Sequence, residues 1–140
     1  MAKAKAKTTA KPKKTVATIV RPSAAPKAVV DKQLKKVRAF VHAFPNVTEK
    51  ISHGFPGFFV KKKGFAYFLD NHHGDGRLAL WCMAPPGAQA MLVDSNPDHY
   101  FVPPYVGVSG WVGVRLDRDA EWPQIAAVLE SAYETRLAKK

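Results

Sequence analysis

The side chains best suited to chemistry in this sequence are clustered lysines, and the chemistry they suggest is phosphate binding. Eight lysine and arginine residues precede Asp31, and no acidic residue accompanies them. Those predicted to contact nucleic acid are Lys3, Lys5, Lys7, Lys11, Lys13, Lys14 and Arg21. Each neutralised phosphate releases counterions, so binding would depend steeply on salt and little on base sequence. The pattern predicts contact with duplex DNA, and a solubilising tail is the alternative.

A second lysine group lies between two short aromatic segments: Lys61, Lys62 and Lys63. The surrounding stretch 53–68 (HGFPGFFVKKKGFAYF) alternates as two strands do, and we expect a hairpin whose tight turn uses the permissive backbone of Gly64. Lysines at a hairpin tip can reach phosphates, with help from Arg77 and Arg115. Lysines that only keep the hairpin end soluble are the open alternative.

The histidines and the single cysteine form no catalytic or metal-binding pattern. His72 and His73 are adjacent, and neighbouring side chains on a strand point apart. Cys82 stands among large apolar residues, which predicts a buried and unreactive thiol. Glycine-rich phosphate loops of Walker or Rossmann spacing are missing from the sequence. We therefore predict no catalytic residues, no metal, no cofactor and no enzymatic activity.

Length and composition restrict the class of protein. The 140 residues favour one domain, and a hydrophobic content of 46% is enough for a core. The formal net charge is +11, and most of the excess precedes Asp31. No apolar run approaches the ~20 residues that span a bilayer, so no membrane partner is predicted. One cysteine fits a reducing compartment, which predicts a cytoplasmic protein, nucleoid-associated if it binds DNA. The oligomeric state stays open.

Two regions are predicted along the chain. Residues 1–30 are rich in Lys, Ala and Pro, and they are predicted to form a disordered basic arm because they offer little apolar surface to offset the entropy of ordering. Residues 31–140 are predicted to form the folded domain. Asp31 is the expected N-cap of a first helix that runs to about Phe44, with an apolar stripe at helical spacing.

The remaining periodicities predict a sheet and further helices. After the hairpin, alternation predicts strands at 77–84, 99–102 and 111–117, with a short helix at 88–93 between the first two. A final helix is expected over 120–138, with Pro123 in its first turn, where no backbone donor is needed. The fold class is therefore α+β, an antiparallel sheet with the N- and C-terminal helices packed on one face.

A second functional class follows from the aromatic residues. A pocket between sheet and helices could be lined by His53, Phe55, Tyr105 and Trp111. Ligand pockets are usually apolar with a few polar groups, so these residues suggest a domain that binds a small molecule or a protein. If exposed, Tyr105 or Trp111 could instead stack on unpaired bases.

Three blocks of sequence together form a recognisable pattern: HGFPGFFVKKKGFAYF at 53–68, PPYVGVSGWVGVRLD at 103–117 and WPQIAAVLESAYETRLAKK at 122–140. In this order they resemble the MmcQ/YjbR family, of the CyaY-like α+β superfamily. The resemblance implies an α+β fold whose strand layout is likened to a double-wing DNA-binding motif. It also implies a DNA-binding role, the one usually predicted for family members. It implies no catalytic residues, and the lysine arm lies outside the family pattern.

Overall fold

The computed structural model describes residues 23–118 and 120–139, which form six β-strands and three α-helices. The helices are α1 (Lys27–Val41), α2 (Ala88–Ser95) and α3 (Trp122–Ala138). The strands are β1 (Thr48–Ser52), β2 (Phe55–Val60), β3 (Lys63–Asp70), β4 (Leu78–Cys82), β5 (Tyr100–Phe101) and β6 (Val112–Arg115). Short 3-10 turns follow β3 and precede β6, at His72–Gly74 and Val106–Ser109.

All six strands form one antiparallel sheet in the order β1-β2-β3-β4-β6-β5. Neighbouring strands in the chain pair through short turns, and only β5 and β6 exchange places at the far edge. The predicted α+β class with an antiparallel sheet is confirmed. Among the described residues, no helix has both the length and the apolar character needed to cross a membrane.

Helix α1 begins earlier than the sequence suggests. Its N-cap is Pro26, whose carbonyl oxygen accepts from the backbone N–H groups of Val29 and Val30. The prediction of an N-cap at Asp31 is wrong, because Asp31 lies in the second turn and pairs there with Lys27 at 2.7 Å. The helix also ends at Val41, before the predicted end at Phe44. Residues 27–30, assigned to the arm from sequence, thus belong to the folded part.

Strand β1 was not predicted, because its exposed and polar residues alternate too weakly to be recognised. It pairs with β2 along its whole length as an edge strand. Glu49 in β1 ties the strand to α1: it accepts from Arg38 Nε at 3.0 Å and from Arg38 Nη2 at 2.6 Å. His42 Nε2 lies 3.1 Å from the same carboxylate. A polar network therefore holds the edge strand against the first helix.

The β2–β3 turn differs from the prediction in its residues. Val60 pairs with Lys63, so Lys61 and Lys62 alone form the turn, with φ of 53° and 66°. Two positive φ angles in a two-residue loop define a type I′ hairpin turn. The predicted turn role of Gly64 is wrong. Gly64 lies within β3, and a Cβ there would collide with the hydroxyl group of Tyr67.

A bulge in the same hairpin changes the face of one aromatic residue. Phe58 pairs with Ala66 and Phe59 with Gly64, which leaves Phe65 as the extra residue of β3. The Phe65 ring is buried, with its centroid 5.7 Å from that of Tyr133 in α3. Strict alternation along the sequence would put Phe65 on the same face as Tyr67, and the bulge is the reason that it does not.

Helices α1 and α3 cover one face of the sheet. The buried residues of the helices include Val37, Val41, Ile125 and Leu129. They meet a sheet row in which Phe58, Ala66, Cys82 and Val112 are cross-strand neighbours. Burial of that much apolar surface is the main stabilising contribution to such a domain.

The opposite face, which we call the helix-free face, is covered by aromatic side chains of the sheet itself. One cross-strand row contains Gly57, Tyr67, Trp81, Gly113 and Phe101. A Cβ at Gly57 would meet the Tyr67 ring, and a Cβ at Gly113 would meet the Phe101 ring. The two glycines thus leave room for aromatic rings to lie flat against the strands.

We expect Glu49→Gln to lower the free energy of unfolding by about 0.5–1 kcal/mol at pH 7. Hydrogen bonds from Arg38 hold the pKa of Glu49 below its usual value, although partial burial opposes them. A lowered folded-state pKa stabilises the fold above the unfolded carboxyl's pKa of about 4.3, and this stabilisation is lost as the pH falls through the folded value. Urea unfolding from pH 7 to pH 3 measures the difference.

The matched control for this substitution is Glu130→Gln, which removes an exposed carboxylate of α3 that makes no ion pair among the described residues. A gap between Glu49→Gln and the wild type that persists unchanged at pH 3 would contradict the assigned network.

We expect Gly113→Ala to destabilise the protein by about 1–3 kcal/mol, the usual cost of overpacking. The added methyl group would collide with the Phe101 ring, which lies over Gly113. Thermal unfolding of Gly113→Ala, Phe101→Leu and the double variant measures the coupling. The two effects should be less than additive, and full additivity would show that the ring does not occupy this space.

Candidate functional site

The three central lysines meet at one end of the sheet. Lys61 and Lys62 form the β2–β3 turn, Lys63 opens β3, and all three side chains are exposed. We call these three residues the hairpin tip. In the described part of the chain, no carboxylate lies within ion-pair distance of them. The tip is therefore a compact patch of uncompensated positive charge.

Two further cations flank the hairpin tip, and the sequence analysis did not select them. Arg136 of α3 donates from Nε and Nη2 to the carbonyl oxygen of Gly64, at 3.1 and 2.9 Å. Lys50 of β1 is exposed, and its Nζ lies 5.4 Å from the centroid of the Phe59 ring. Lys50 was not selected because strand β1 and its pairing with β2 were not predicted. Arg136 was not selected because its contact with Gly64 depends on the packing of α3.

Arg77 and Arg115 do not join the hairpin tip. Both lie near the other end of β3, because Asp70 pairs with Leu78 and Arg115 with Ala79. Strand β3 has eight residues, so the separation is more than about 20 Å. The Arg77 guanidinium lies 4.1 Å from the Phe101 ring centroid. The structure thus separates two residues that the sequence analysis grouped with the tip.

Arg115 is also neutralised where it lies. Its Nε and Nη2 donate to the Asp117 carboxylate at 3.0 and 2.8 Å, and its side chain is only 16% exposed. Burial acts to raise the pKa of Asp117, but the hydrogen bonds and the charge of Arg115 outweigh burial and lower it. A guanidinium engaged on both nitrogens by an ionised carboxylate has little left to offer a phosphate.

The predicted phosphate contacts of the arm lie outside the described residues. These are Lys3, Lys5, Lys7, Lys11, Lys13, Lys14 and Arg21. The described chain begins at Ser23, and Ala24 already takes part in the fold: its backbone N–H donates to Asp70 Oδ1 at 2.6 Å. The role of the arm in DNA binding stays a prediction.

A cavity of about 510 Å³ opens on the helix-free face, at the end of the hairpin away from its tip. Its apolar walls are Phe55, Tyr67, Leu69, Trp81, Tyr105 and Val106. Its polar lining consists of Ser52, His53, His72 and His73. We call this space the aromatic cavity. Its residues come from β1 to β4 and the two 3-10 regions, so only the folded chain brings them together.

Three of the four residues predicted for a pocket line the aromatic cavity: His53, Phe55 and Tyr105. The predicted position between sheet and helices is wrong, because Tyr67 and Trp81 of the lining lie on the helix-free face. Trp111 does not line the cavity. It is 7% exposed and stacks on Tyr67, with ring centroids 5.7 Å apart. Trp111 therefore supports the wall from behind and cannot stack on an unpaired base. Tyr105, by contrast, is 72% exposed.

The sequence analysis found no metal-binding or catalytic pattern at His72 and His73, and it missed their part in the cavity. The His72 ring packs edge-on against Trp81, with centroids 4.8 Å apart, and against His73 at 4.1 Å. Both rings also lie edge-on to Tyr105, at 6.2 and 6.3 Å. The sequence carries no direct signal for this, because the partners are distant in the chain.

Three of the seven described non-glycine residues with a positive φ line the aromatic cavity. His53, His73 and Tyr105 have φ of 53°, 51° and 65°, in the left-handed region that non-glycine residues seldom occupy. Tyr105, with ψ of −67°, is the centre of a γ-turn closed by a 2.7 Å hydrogen bond from Val106 N–H to the Pro104 carbonyl. This positive-φ form of the γ-turn is rare and strained. Strained residues of this kind tend to occur at functional sites.

The thiol of Cys82 is buried in the core. Burial raises the pKa of the Cys82 thiol to about 12, so it stays protonated at neutral pH. Within residues 23–118 and 120–139, no group of three or more His, Cys, Asp and Glu side chains could hold a metal ion.

A second cavity, of about 600 Å³, lies between α2 and α3. It is larger than the aromatic cavity, but its lining is mainly small or flexible, with Ala88, Met91 and Ser95 on the α2 side. None of its lining residues has a positive φ. Size alone therefore favours this second cavity as a ligand site, whereas the aromatic lining and the strained backbone favour the aromatic cavity.

Comparison with known proteins supports the fold and the sequence pattern. A model of the YjbR family matches residues 42–135, more than half of the chain and including both the hairpin tip and the aromatic cavity. The fold is similar to the crystal structure of Deinococcus radiodurans protein DR2400, which has a DUF419 domain. The TM-score is 0.66 at 18% identity, over 76% of this chain and 79% of that chain. A search of curated proteins found no match.

Tyr105 offers a direct test of the strained γ-turn. We expect Tyr105→Gly to be more stable than Tyr105→Ala by about 1 kcal/mol, which reverses the usual order of alanine and glycine. Both variants remove the exposed ring, but only glycine adopts the positive φ without strain. Thermal unfolding measures the difference, and an alanine variant of equal or greater stability would contradict the strain.

Proposed function

The chain belongs to the YjbR family, and on this basis we propose that it binds nucleic acid, duplex DNA in particular, through the phosphate backbone. The observation that carries the proposal is the hairpin tip, where two lysines of the turn and the first residue of β3 are exposed without a counter-charge among the described residues. Each lysine that neutralises a phosphate releases condensed counterions, which is favourable at moderate salt.

The conformation of the tip supports a role for its lysines beyond solubility. A type I′ turn favours Asn-Gly or Asp-Gly, because both central residues need a positive φ. This chain has Lys61-Lys62 there. A left-handed conformation costs a non-glycine residue about 1–2 kcal/mol, so two lysines make the turn less stable than the common residues would. A function that needs the two charges would explain their presence.

The shape of the hairpin also suits a duplex. A two-stranded β-ribbon fits the major groove of B-DNA, and a two-residue turn makes the ribbon narrow at its tip. Arg136 at the base of the tip and Lys50 on the neighbouring strand add positive charge on either side. The tip carries no Asn, Gln or Arg side chain to read base edges. We therefore expect phosphate contacts that position the protein and little sequence specificity.

The arm would add to this interaction. Its lysines and arginine follow the same electrostatic rule as those of the tip, and each phosphate contact they make would steepen the salt dependence of binding. We therefore expect the arm and the hairpin tip to make separate contributions to the slope of log K against log salt.

We expect Lys61→Asn/Lys62→Gly to weaken binding to a short duplex and also to stabilise the fold. The slope of log K against log salt should become shallower by about 0.9 for each lost phosphate contact. The introduced Asn-Gly pair is the preferred type I′ sequence, and it should raise the free energy of unfolding by about 1 kcal/mol. Fluorescence anisotropy over a salt series and urea unfolding measure the two effects in the full chain.

The matched control is Lys32→Gln/Lys35→Gln, which removes the same charge from the exposed side of α1. Its salt slope should equal that of the wild type. An equal decrease of the salt slope in both double variants would mean that only the net charge of the protein affects binding. An unchanged salt slope in the tip variant would show that the hairpin tip does not contact the DNA. The slope that remains in the tip variant measures what the arm and flanking cations contribute.

A further inference from the structure

We propose that the aromatic cavity binds a small, planar aromatic molecule that carries an anionic group such as a carboxylate. The site lies at the opposite end of the β2–β3 hairpin from the lysine tip, on the helix-free face. The inference therefore goes beyond nucleic-acid binding and does not depend on it.

The size and walls of the cavity set the class of ligand. A volume of about 510 Å³ lies within the range of about 300–1,000 Å³ that is typical of small-molecule sites. Phe55, Tyr67, Trp81 and Tyr105 supply four aromatic rings to the wall. Aromatic rings pack best against another flat ring, offset or edge-on, so a planar ligand gains more here than a branched one.

The polar groups set the charge of the ligand. The lining contains three imidazoles and a serine hydroxyl, but no aspartate, glutamate, lysine or arginine. Asp70, next to the lining residue Leu69, is already engaged by the Ala24 backbone N–H. A cation would find no carboxylate to offset its desolvation, whereas an anion can accept hydrogen bonds from imidazole and hydroxyl groups. The lining thus favours an anionic ligand over a quaternary ammonium compound.

Trp81 adds a donor without an acceptor. Its indole Nε1 is buried and has no hydrogen-bond partner among the described residues. A buried donor left unsatisfied is unusual in a folded protein and destabilises it. An acceptor on a ligand packed against Trp81 would relieve this, with a small adjustment of the surrounding rings.

The strained backbone explains how the cavity is held open. Tyr105 keeps its ring at the mouth from the centre of a γ-turn, although most of that ring is exposed to solvent. His53, also with a positive φ, occupies the β1–β2 turn on the lining. Relaxing either residue would move a lining side chain. The strain is therefore consistent with a preformed site, in which little ordering cost remains for the ligand.

The test uses naphthalene-2-carboxylate as the probe and the full-length protein. Proton–nitrogen correlation spectra follow the three tryptophan indole N–H signals, with Trp81 assigned through Trp81→Phe. We expect the Trp81 signal to shift saturably as the probe is added. The Trp122 signal should stay in place, because its ring packs on Phe40 of α1, on the other face of the sheet.

Variants locate the probe. Tyr105→Gly should weaken binding by about tenfold or more through loss of one stacking partner. Val108→Ala, a matched change at a 95% exposed residue of the same loop that does not line the cavity, should leave the affinity unchanged. Lys61→Asn/Lys62→Gly should also bind the probe as the wild type does, which separates this site from DNA binding.

Four results would overturn the proposal. One is the lack of a saturable Trp81 shift up to the solubility limit of the probe. Equal affinity of Tyr105→Gly and the wild type would exclude the cavity as the site. Equal binding of 2-naphthamide, which lacks the charge, would reject the anionic class, and effective competition by tetramethylammonium would assign the site to cations instead.

Discussion

The arrangement depends on one constraint: both terminal helices pack on the same face of the sheet, so the other face must be covered by the sheet's own side chains. Tyr67 and Phe101 do this by lying flat over Gly57 and Gly113, where any Cβ would collide with a ring. Trp81, between them in the same cross-strand row, completes the layer. Flat rings exclude water from the strands without a further layer of secondary structure, as the hydrophobic effect requires.

This self-covered face has functional consequences. Rings that lie flat leave a gap where the loop around Tyr105 and the turn at His72–Gly74 close over the sheet, and that gap is the aromatic cavity. The lysine tip lies at one end of the β2–β3 hairpin and the cavity at the other. The two candidate sites therefore differ in chemistry, one electrostatic and one aromatic, although they share the same pair of strands.

Much of the fold follows from periodicity in the sequence. The apolar repeat of α3 is strong because the helix buries one side against the core. The apolar character of β4 and β6 is strong because nearly every residue of these two strands is buried. Elements with a weak or irregular sequence pattern were not predicted correctly. Edge strand β1 is mostly exposed, so nothing enforced an alternating pattern, and the bulge at Phe65 shifts one side chain to the opposite face. Of the pocket residues, Trp111 was misplaced, because its stacking partner Tyr67 lies on a strand that is distant in sequence.

The sequence by itself determined the α+β class, the clustering of basic charge at the N-terminus and the lysines between two strands, since these depend on local spacing and composition. Only the tertiary structure decided which of those groups lie close together. Antiparallel pairing separates Arg77 and Arg115 from the hairpin tip, and the packing of α3 on the sheet places Arg136 beside the tip. Strand pairing together with the folding of the loop around Tyr105 brings His53, Trp81 and Tyr105 to one cavity. Strand register and turn geometry set these distances, and neither can be read from the spacing of residues along the chain.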